Sequence, residues 1–344
     1  MKAQVLTGIG RMEMRLVDDP VIGGDTDVLC KIEKVGVCGS DVHYYETGRI
    51  GSQVVQYPYI VGHECSATVA AVGSAVKRVK VGDAIVVEPA AWCDECDQCR
   101  MGRENTCRNL KFLGTPGQGP GCLSEYIVMP EKSCFPTRGA ITLEQGALCE
   151  PFAIGVYTVR QSHAQKGACV VILGSGPIGL SCMAAAKAEG IEKIYMTDII
   201  DARNAVARKA GAIWTGNPES ENIVESIGDL EPTGVDIVYE CAGRQETLDE
   251  AIELLRPGGT LMIVGIPRAE RVSFSIDRIR RKEITIVNVR RQNDCTQKAI
   301  DLIASGKAQV DFMITHRFTF DKSKDAFDMA AGYKDGVVKA LIEI

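Results

Sequence analysis

Residues 168–198, ACVVILGSGPIGLSCMAAAKAEGIEKIYMTD, restrict the fold of this chain more than any other stretch. A continuous apolar run leads into Gly174, Gly176 and Gly179 at G-x-G-x-x-G spacing, and a helix-like segment follows. Pro177 suits the first turn of that helix, where a backbone N–H would have no partner within the helix. A second apolar strand, KIYMTD, ends on Asp198, about twenty residues after the glycines. Strand, glycine turn and helix in this order make a dinucleotide site. The glycines let backbone approach a pyrophosphate, which the helix N-terminus stabilises through free N–H groups and the macrodipole. Asp198 is placed to accept from ribose hydroxyls and to repel a ribose phosphate, which favours NAD over NADP. Arg203, on the following helix, tempers that preference because it can meet a phosphate. A structural turn beside a surface aspartate is the plain alternative.

The alternation continues through DARNAVARKAG, VDIVYECAG, QETLDEAIELL and GGTLMIVGI. Apolar strands between amphipathic helices predict a parallel, doubly wound sheet covered on both faces. Upstream the rhythm differs. VLCKIEKVGV, ATVAAVG, AIVVEP and SEYIVMP are short strands divided by Gly, Pro and Asp, a pattern that favours a partly open β-barrel or sandwich. The expectation is two domains: one over residues 1–152 and 288–344, the other, α/β, over residues 153–287.

Composition narrows the classes of partner. With 24% charged residues and no apolar run of bilayer length, the chain is not a membrane protein. A net charge of −6 argues against nucleic acid or an anionic membrane surface. The N-terminus lacks the apolar centre of a signal peptide, so the expected compartment is the cytoplasm. Thiols stay reduced there, and clustered cysteines then suggest metal rather than disulfides.

The clearest cluster is CDECDQCRMGRENTC, which sets Cys93, Cys96, Cys99 and Cys107 at C-x2-C-x2-C-x7-C. Four thiolates close a tetrahedral shell around zinc and leave no position for substrate, so such a site is structural. An iron–sulfur cluster and a nucleic-acid zinc ribbon are the rivals. A second set is dispersed: Cys38 in GVCGSDVHYYETG, His63 and Glu64 in VGHECSATVAAVG, and Cys149 and Glu150 in GALCEPFAIG. A cysteine, a histidine and a carboxylate leave a fourth zinc position open, as catalysis requires. Singly, each has a blander reading: a core thiol, a buried imidazole, a helix-cap acid.

Cys38 and His43, then GHE, the four-cysteine loop and GSGPIG, in that order, resemble the zinc-dependent medium-chain dehydrogenases over essentially the whole chain. VCGSDVHYYETGRIG and EPFAIGVY are most similar to the polyol group, the sorbitol (L-iditol) and xylitol dehydrogenases. This resemblance implies a GroES-like β-barrel catalytic domain, a doubly wound Rossmann domain, and a homotetramer or homodimer. It implies one catalytic and one structural zinc per chain, and NAD. Cys38, His63 and Glu64 would hold the catalytic zinc, with Glu150 on its water or entering the shell, and Cys149 as a competing ligand. Ser40 and His43 would relay the substrate proton. Tyr44, Phe112, Glu150 and Arg291 would contact the polyol. Gly174, Gly176, Pro177, Ile178, Gly179, Asp198, Arg203, Val264, Gly265 and Val289 would contact the cofactor.

The implied reaction is oxidation of a sugar alcohol to a ketose, the alcohol ionised at zinc and a hydride passed to the nicotinamide. Ala67 replaces a glycine usual in the family, and Gln292 stands where animal sorbitol dehydrogenases have tyrosine, which leaves the particular polyol open. Arg290 beside Arg291 raises a polyol-phosphate dehydrogenase as an alternative, and a threonine dehydrogenase-like enzyme shares the zinc pattern. In a strand, adjacent arginines would face opposite ways, which counts against a phosphate clamp.

Overall fold

Strand Asp27–Gly36 organises the first half of the structure. Val28, Cys30 and Ile32 on alternate positions are fully buried, the period of two expected of a strand with one face on a core. It pairs antiparallel with Glu64–Val72, Tyr126–Pro130 and Lys339–Glu343. The seven-stranded sheet runs Cys134–Pro136, Ala84–Val87, Glu64–Val72, Asp27–Gly36, Lys339–Glu343 and Ile314–Thr319, with Tyr126–Pro130 off this path. Register is what matters for function. Gly36 stands opposite both Glu64 and Leu341, so the segments bearing Cys38, Glu64 and Lys339 meet at one end of the sheet.

The computed structural model describes residues 1–267 and 269–344. It divides into two units, Met1–Glu150 with Thr296–Ala304 and Ile314–Ile344, and Pro151–Cys295 with Ser305–Met313. Sequence rhythm put the chain's return to the first unit near residue 288. Strand Thr285–Asn288 pairs with Leu255–Ile263, and the second unit runs on to Cys295.

The second unit is a parallel six-stranded sheet. Its strand order is Trp214–Gly216, Lys193–Thr197, Cys169–Leu173, Val235–Glu240, Leu255–Ile263, Thr285–Asn288. Numbered within the unit this is 3-2-1-4-5-6, the doubly wound order, whose direction reverses beside Cys169–Leu173. Val170, Val171, Ile172 and Leu173 are all fully buried, each contributing roughly 1.5–3 kcal/mol of burial. Helix Pro177–Ala188 is buried from Gly179 to Ala186; its small residues let it lie against the sheet. Among the described residues no helix is long and apolar enough to cross a membrane.

Candidate active site

Past Gly36 the chain turns at Cys38, whose extended backbone caps helix Gly39–Thr47. Ser40, His43 and Tyr44 fall on one face of that helix by their spacing of three and four. Ser40 Oγ donates to Cys38 Sγ at 3.3 Å, and Tyr44 Oη donates to Gln53 Oε1 at 2.9 Å. Asp41 turns the other way and is fully buried. Its Oδ1 accepts from the Gly62 N–H at 3.2 Å, and its Oδ2 lies 3.3 Å from His63 Nδ1. Gly62 has φ 102°, a conformation glycine adopts without strain, and this turn delivers His63 and then Glu64. The Phe112 ring packs 5.4 Å from the His63 ring, centroid to centroid.

One ligand atom from each of Cys38, His63 and Glu64 lies within 4.8 Å of the other two. Burial disfavours a charged imidazole at His63, yet Asp41 and Cys38 raise its pKa well above the usual value. The place favours positive charge. Glu150 reinforces this. It is 6% exposed, and its Oε2 is buried with no hydrogen-bond partner. Burial pushes its pKa up to about 8; His63 and Lys339 oppose the rise, Glu64 and Glu88 add to it. A thiol, an imidazole, a carboxylate and a nearby orphaned carboxylate oxygen suit a zinc ion with an open position. Cys149, beside Glu150, donates its thiol to the Gln145 carbonyl one turn back at 3.3 Å; neither Cys149 nor Glu150 is in the three-residue cluster.

The structure also brings in residues that the sequence reading did not single out. Lys339 Nζ donates to Glu64 Oε1 and Oε2 at 2.8 and 2.5 Å, and to the Val37 carbonyl at 3.1 Å. Glu88, itself buried, accepts from Thr296 Oγ1 at 2.5 Å. Asp41 lay inside the quoted stretch without a visible partner. Lys339 was signalled only as a charge inside the largely apolar run VVKALIEI.

In the four-cysteine loop the sulfurs of Cys93 and Cys107 are 3.5 Å apart, Cys96 and Cys99 3.6 Å, Cys96 and Cys107 3.9 Å, and Cys93 and Cys99 4.0 Å. A zinc–sulfur bond of ~2.3 Å gives a tetrahedron with an edge of ~3.8 Å, so one zinc ion fits. An iron–sulfur cluster sets inorganic atoms between its cysteines and would hold their sulfurs well beyond contact. N–H groups of Arg108 and Cys99 hold the Cys96 thiol down to about 6, which suits a thiolate ligand.

In the second unit Gly174 has φ 104°, and a Cβ at Gly179 would overlap the Gly174 carbonyl. Both positions need glycine. Gly176 caps the helix and Pro177 begins it, with Ile178 next. Asp198 accepts from the Ser175 and Ile200 N–H groups, each at 2.9 Å. Burial raises its pKa, against the attraction of Arg203 and Arg244; Arg244 is a further residue not read from the sequence. Val264 and Gly265 donate to the Glu240 carbonyl, and Val289 to that of Ile263. They sit at the carboxyl ends of parallel strands, the edge where doubly wound sheets bind ligands. Arg290 and Arg291 lie beyond the strand end at Asn288, and Arg291 has φ 52°. The strand-alternation argument against a shared arginine site therefore does not hold.

A metal-ligand cluster in one unit and a glycine-turn dinucleotide site in the other define a metal-assisted, dinucleotide-dependent oxidoreductase. The alcohol dehydrogenase GroES-like domain family matches residues 24–139, and the zinc-binding dehydrogenase family matches residues 177–305. Sorbitol dehydrogenase of Bacillus subtilis is 36% identical over 99% of this chain and 97% of its own length. A probable D-xylulose reductase A of Aspergillus clavatus is 38% identical, over 98% and 95%. A zinc-binding dehydrogenase from Sinorhizobium meliloti, solved with NADP bound, superposes with TM-score 0.91 at 32% identity, covering 100% of this chain and 99% of that one. The chain belongs to the zinc-dependent medium-chain dehydrogenases, in their polyol branch. It is an oxidoreductase acting on CH–OH that uses zinc and a nicotinamide dinucleotide, on a GroES-like domain joined to a Rossmann domain.

Proposed function

We propose that this protein is an NAD-linked polyol dehydrogenase that oxidises a sugar alcohol of the sorbitol, xylitol or L-iditol type to a ketose. The reading places it in the cytoplasm as a homotetramer or homodimer. One observation carries the substrate class: Glu150, buried and with a free carboxylate oxygen, stands where simple alcohol dehydrogenases have a third zinc cysteine. A buried acceptor without a partner favours a substrate rich in hydroxyls and penalises an alkyl chain, which would leave it unsatisfied.

Cys38, His63 and Glu64 would hold the catalytic ion, Asp41 orienting His63 through Nδ1. Bound zinc supplies Lewis acidity, enough to bring the pKa of a coordinated hydroxyl source to ~7. Glu150, Tyr44 and Phe112 would position the neighbouring hydroxyls and carbon chain. Ser40 and His43 would move the released proton outward. A bound nicotinamide would supply the hydride acceptor, so that oxidation of the carbinol to C=O releases one hydride from carbon and one proton from oxygen. NAD is favoured because the Asp198 carboxylate would accept from ribose hydroxyls and repel a phosphate there.

The test is NADH formation from sorbitol, xylitol, L-iditol and galactitol beside their phosphate esters, threonine and ethanol. Turnover of the free polyols supports the reading. Ethanol turning over as well as sorbitol contradicts it. Turnover of the esters alone moves the enzyme to polyol phosphates, with Arg290 and Arg291 as the pair to test, and turnover of threonine alone makes it a threonine dehydrogenase.

A further inference from the structure

Lys339 is among the largest fully buried side chains of the described residues, and its side chain and that of Glu64 are each 1% exposed. A lysine so placed needs strong partners, because an unpaired buried charge is costly. Its ammonium has three: both oxygens of Glu64 and the carbonyl of Val37, the residue before Cys38. The three donors of one ammonium thus tie the strand bearing Glu64 to the backbone leading into Cys38.

Glycine at position 36 is part of the same arrangement. A Cβ there would collide with Glu64 Oε2, so the carboxylate occupies space that only glycine leaves open. A carboxylate has about four lone-pair sites. Accepting from Lys339 therefore leaves Glu64 capacity toward the atoms of Cys38 and His63, within 4.8 Å.

We propose that Lys339 is the positioning residue of the Cys38–His63–Glu64 site, fixing the Glu64 carboxylate and the approach of Cys38 so that the three ligands are set before a metal arrives. The inference rests on the reading of these residues as a metal site. It makes Lys339 to Glu64 what Asp41 is to His63, a partner outside the ligand set that orients a ligand.

Titration of metal-free protein with Co2+, followed by visible absorption, separates the two sites, because a four-thiolate site and a one-thiolate site give bands of different position and intensity. Cys38→Ser assigns the one-thiolate signal. Lys339→Met is expected to weaken Co2+ at that site by about 10–100-fold and to leave the four-cysteine site unchanged. In a Glu64→Gln background the same substitution should add little, since the two side chains act as one unit. The four-cysteine band reports whether the variant is folded. If Lys339→Met does not fold, Gly36→Ala carries the test, displacing the carboxylate while keeping the lysine, with the same selective weakening expected. Wild-type affinity and spectrum at the one-thiolate site in a folded Lys339→Met or Gly36→Ala variant would overturn the proposal. Unchanged Co2+ spectra in Cys38→Ser would instead overturn the metal-site reading itself.

Discussion

His63 Nδ1 and Asp41 Oδ2 are 3.3 Å apart in a buried contact, which leaves Nε2 as the histidine nitrogen available to a metal. Asp41→Asn keeps an acceptor for the Gly62 N–H but loses the charge. Zinc affinity at this site should fall by about 10–100-fold, measured by competition with a chromogenic chelator. The four-cysteine site, which Asp41 does not touch, should keep its zinc.

The four-cysteine loop predicts the opposite division. Its residues are polar and partly exposed, so sulfur ligation rather than apolar burial holds its shape. Cys96→Ser should lower zinc content by one ion per chain and lower the unfolding temperature. The remaining folded enzyme should keep most of its turnover, because this site has no open position. Elemental analysis beside thermal unfolding checks both statements.

In the proposed reading Asp198 sets the cofactor preference, with Arg203 and Arg244 acting on its carboxylate. Asp198→Ser removes the negative charge and leaves both cations. The ratio of kcat/KM for NADP to that for NAD should rise at least tenfold, about 1.4 kcal/mol. An unchanged ratio would mean that the carboxylate does not face the ribose.

Two glycines on helices of the second unit should behave differently. At Gly179 a Cβ would overlap the Gly174 carbonyl, whereas at Gly228, on helix Ile223–Leu230, it meets nothing within 4 Å. Gly179→Ala should raise KM for NAD and destabilise the unit. Gly228→Ala should stabilise it by about 0.5–1 kcal/mol through helix propensity. Denaturant unfolding of both variants is the comparison.

A pH dependence follows from Glu231, which accepts from Tyr195 Oη at 2.7 Å and Lys193 Nζ at 3.0 Å. These hydrogen bonds depress its pKa. A carboxyl with a depressed folded-state pKa contributes stability above its unfolded value and loses it as pH falls through the folded one. Glu231→Gln should cost about 1 kcal/mol near neutral pH. Its deficit relative to wild type should shrink as the pH drops below about 4.3, the ordinary glutamate value.

Much of this was legible in the sequence because the chemistry is local. GSGPIG prescribes its own turn, and four cysteines within fifteen residues prescribe their own loop. Cys38, His63 and Glu64 could be picked out by type and order, but their proximity depends on Gly36 facing Glu64 across the sheet. Lys339 was hidden because its partner is 275 residues away and a lone lysine in an apolar strand has no local signature. The arginine pair was misjudged for a related reason. Where a strand stops is set by its neighbour, and Thr285–Asn288 stops with the end of its pairing to Leu255–Ile263.

The central claim is hydride transfer from a polyol carbon to the cofactor. A 2-ketose arises by oxidation at either carbon next to a chain end, so sorbitol carrying deuterium at both C2 and C5 is the direct probe. The account predicts a 2-ketose, fructose or sorbose, and reduced nicotinamide that carries the deuterium, with formation abolished by Cys38→Ser and by metal removal. Reduced cofactor without deuterium, or no reduction from any free polyol by the zinc-loaded enzyme, would contradict it.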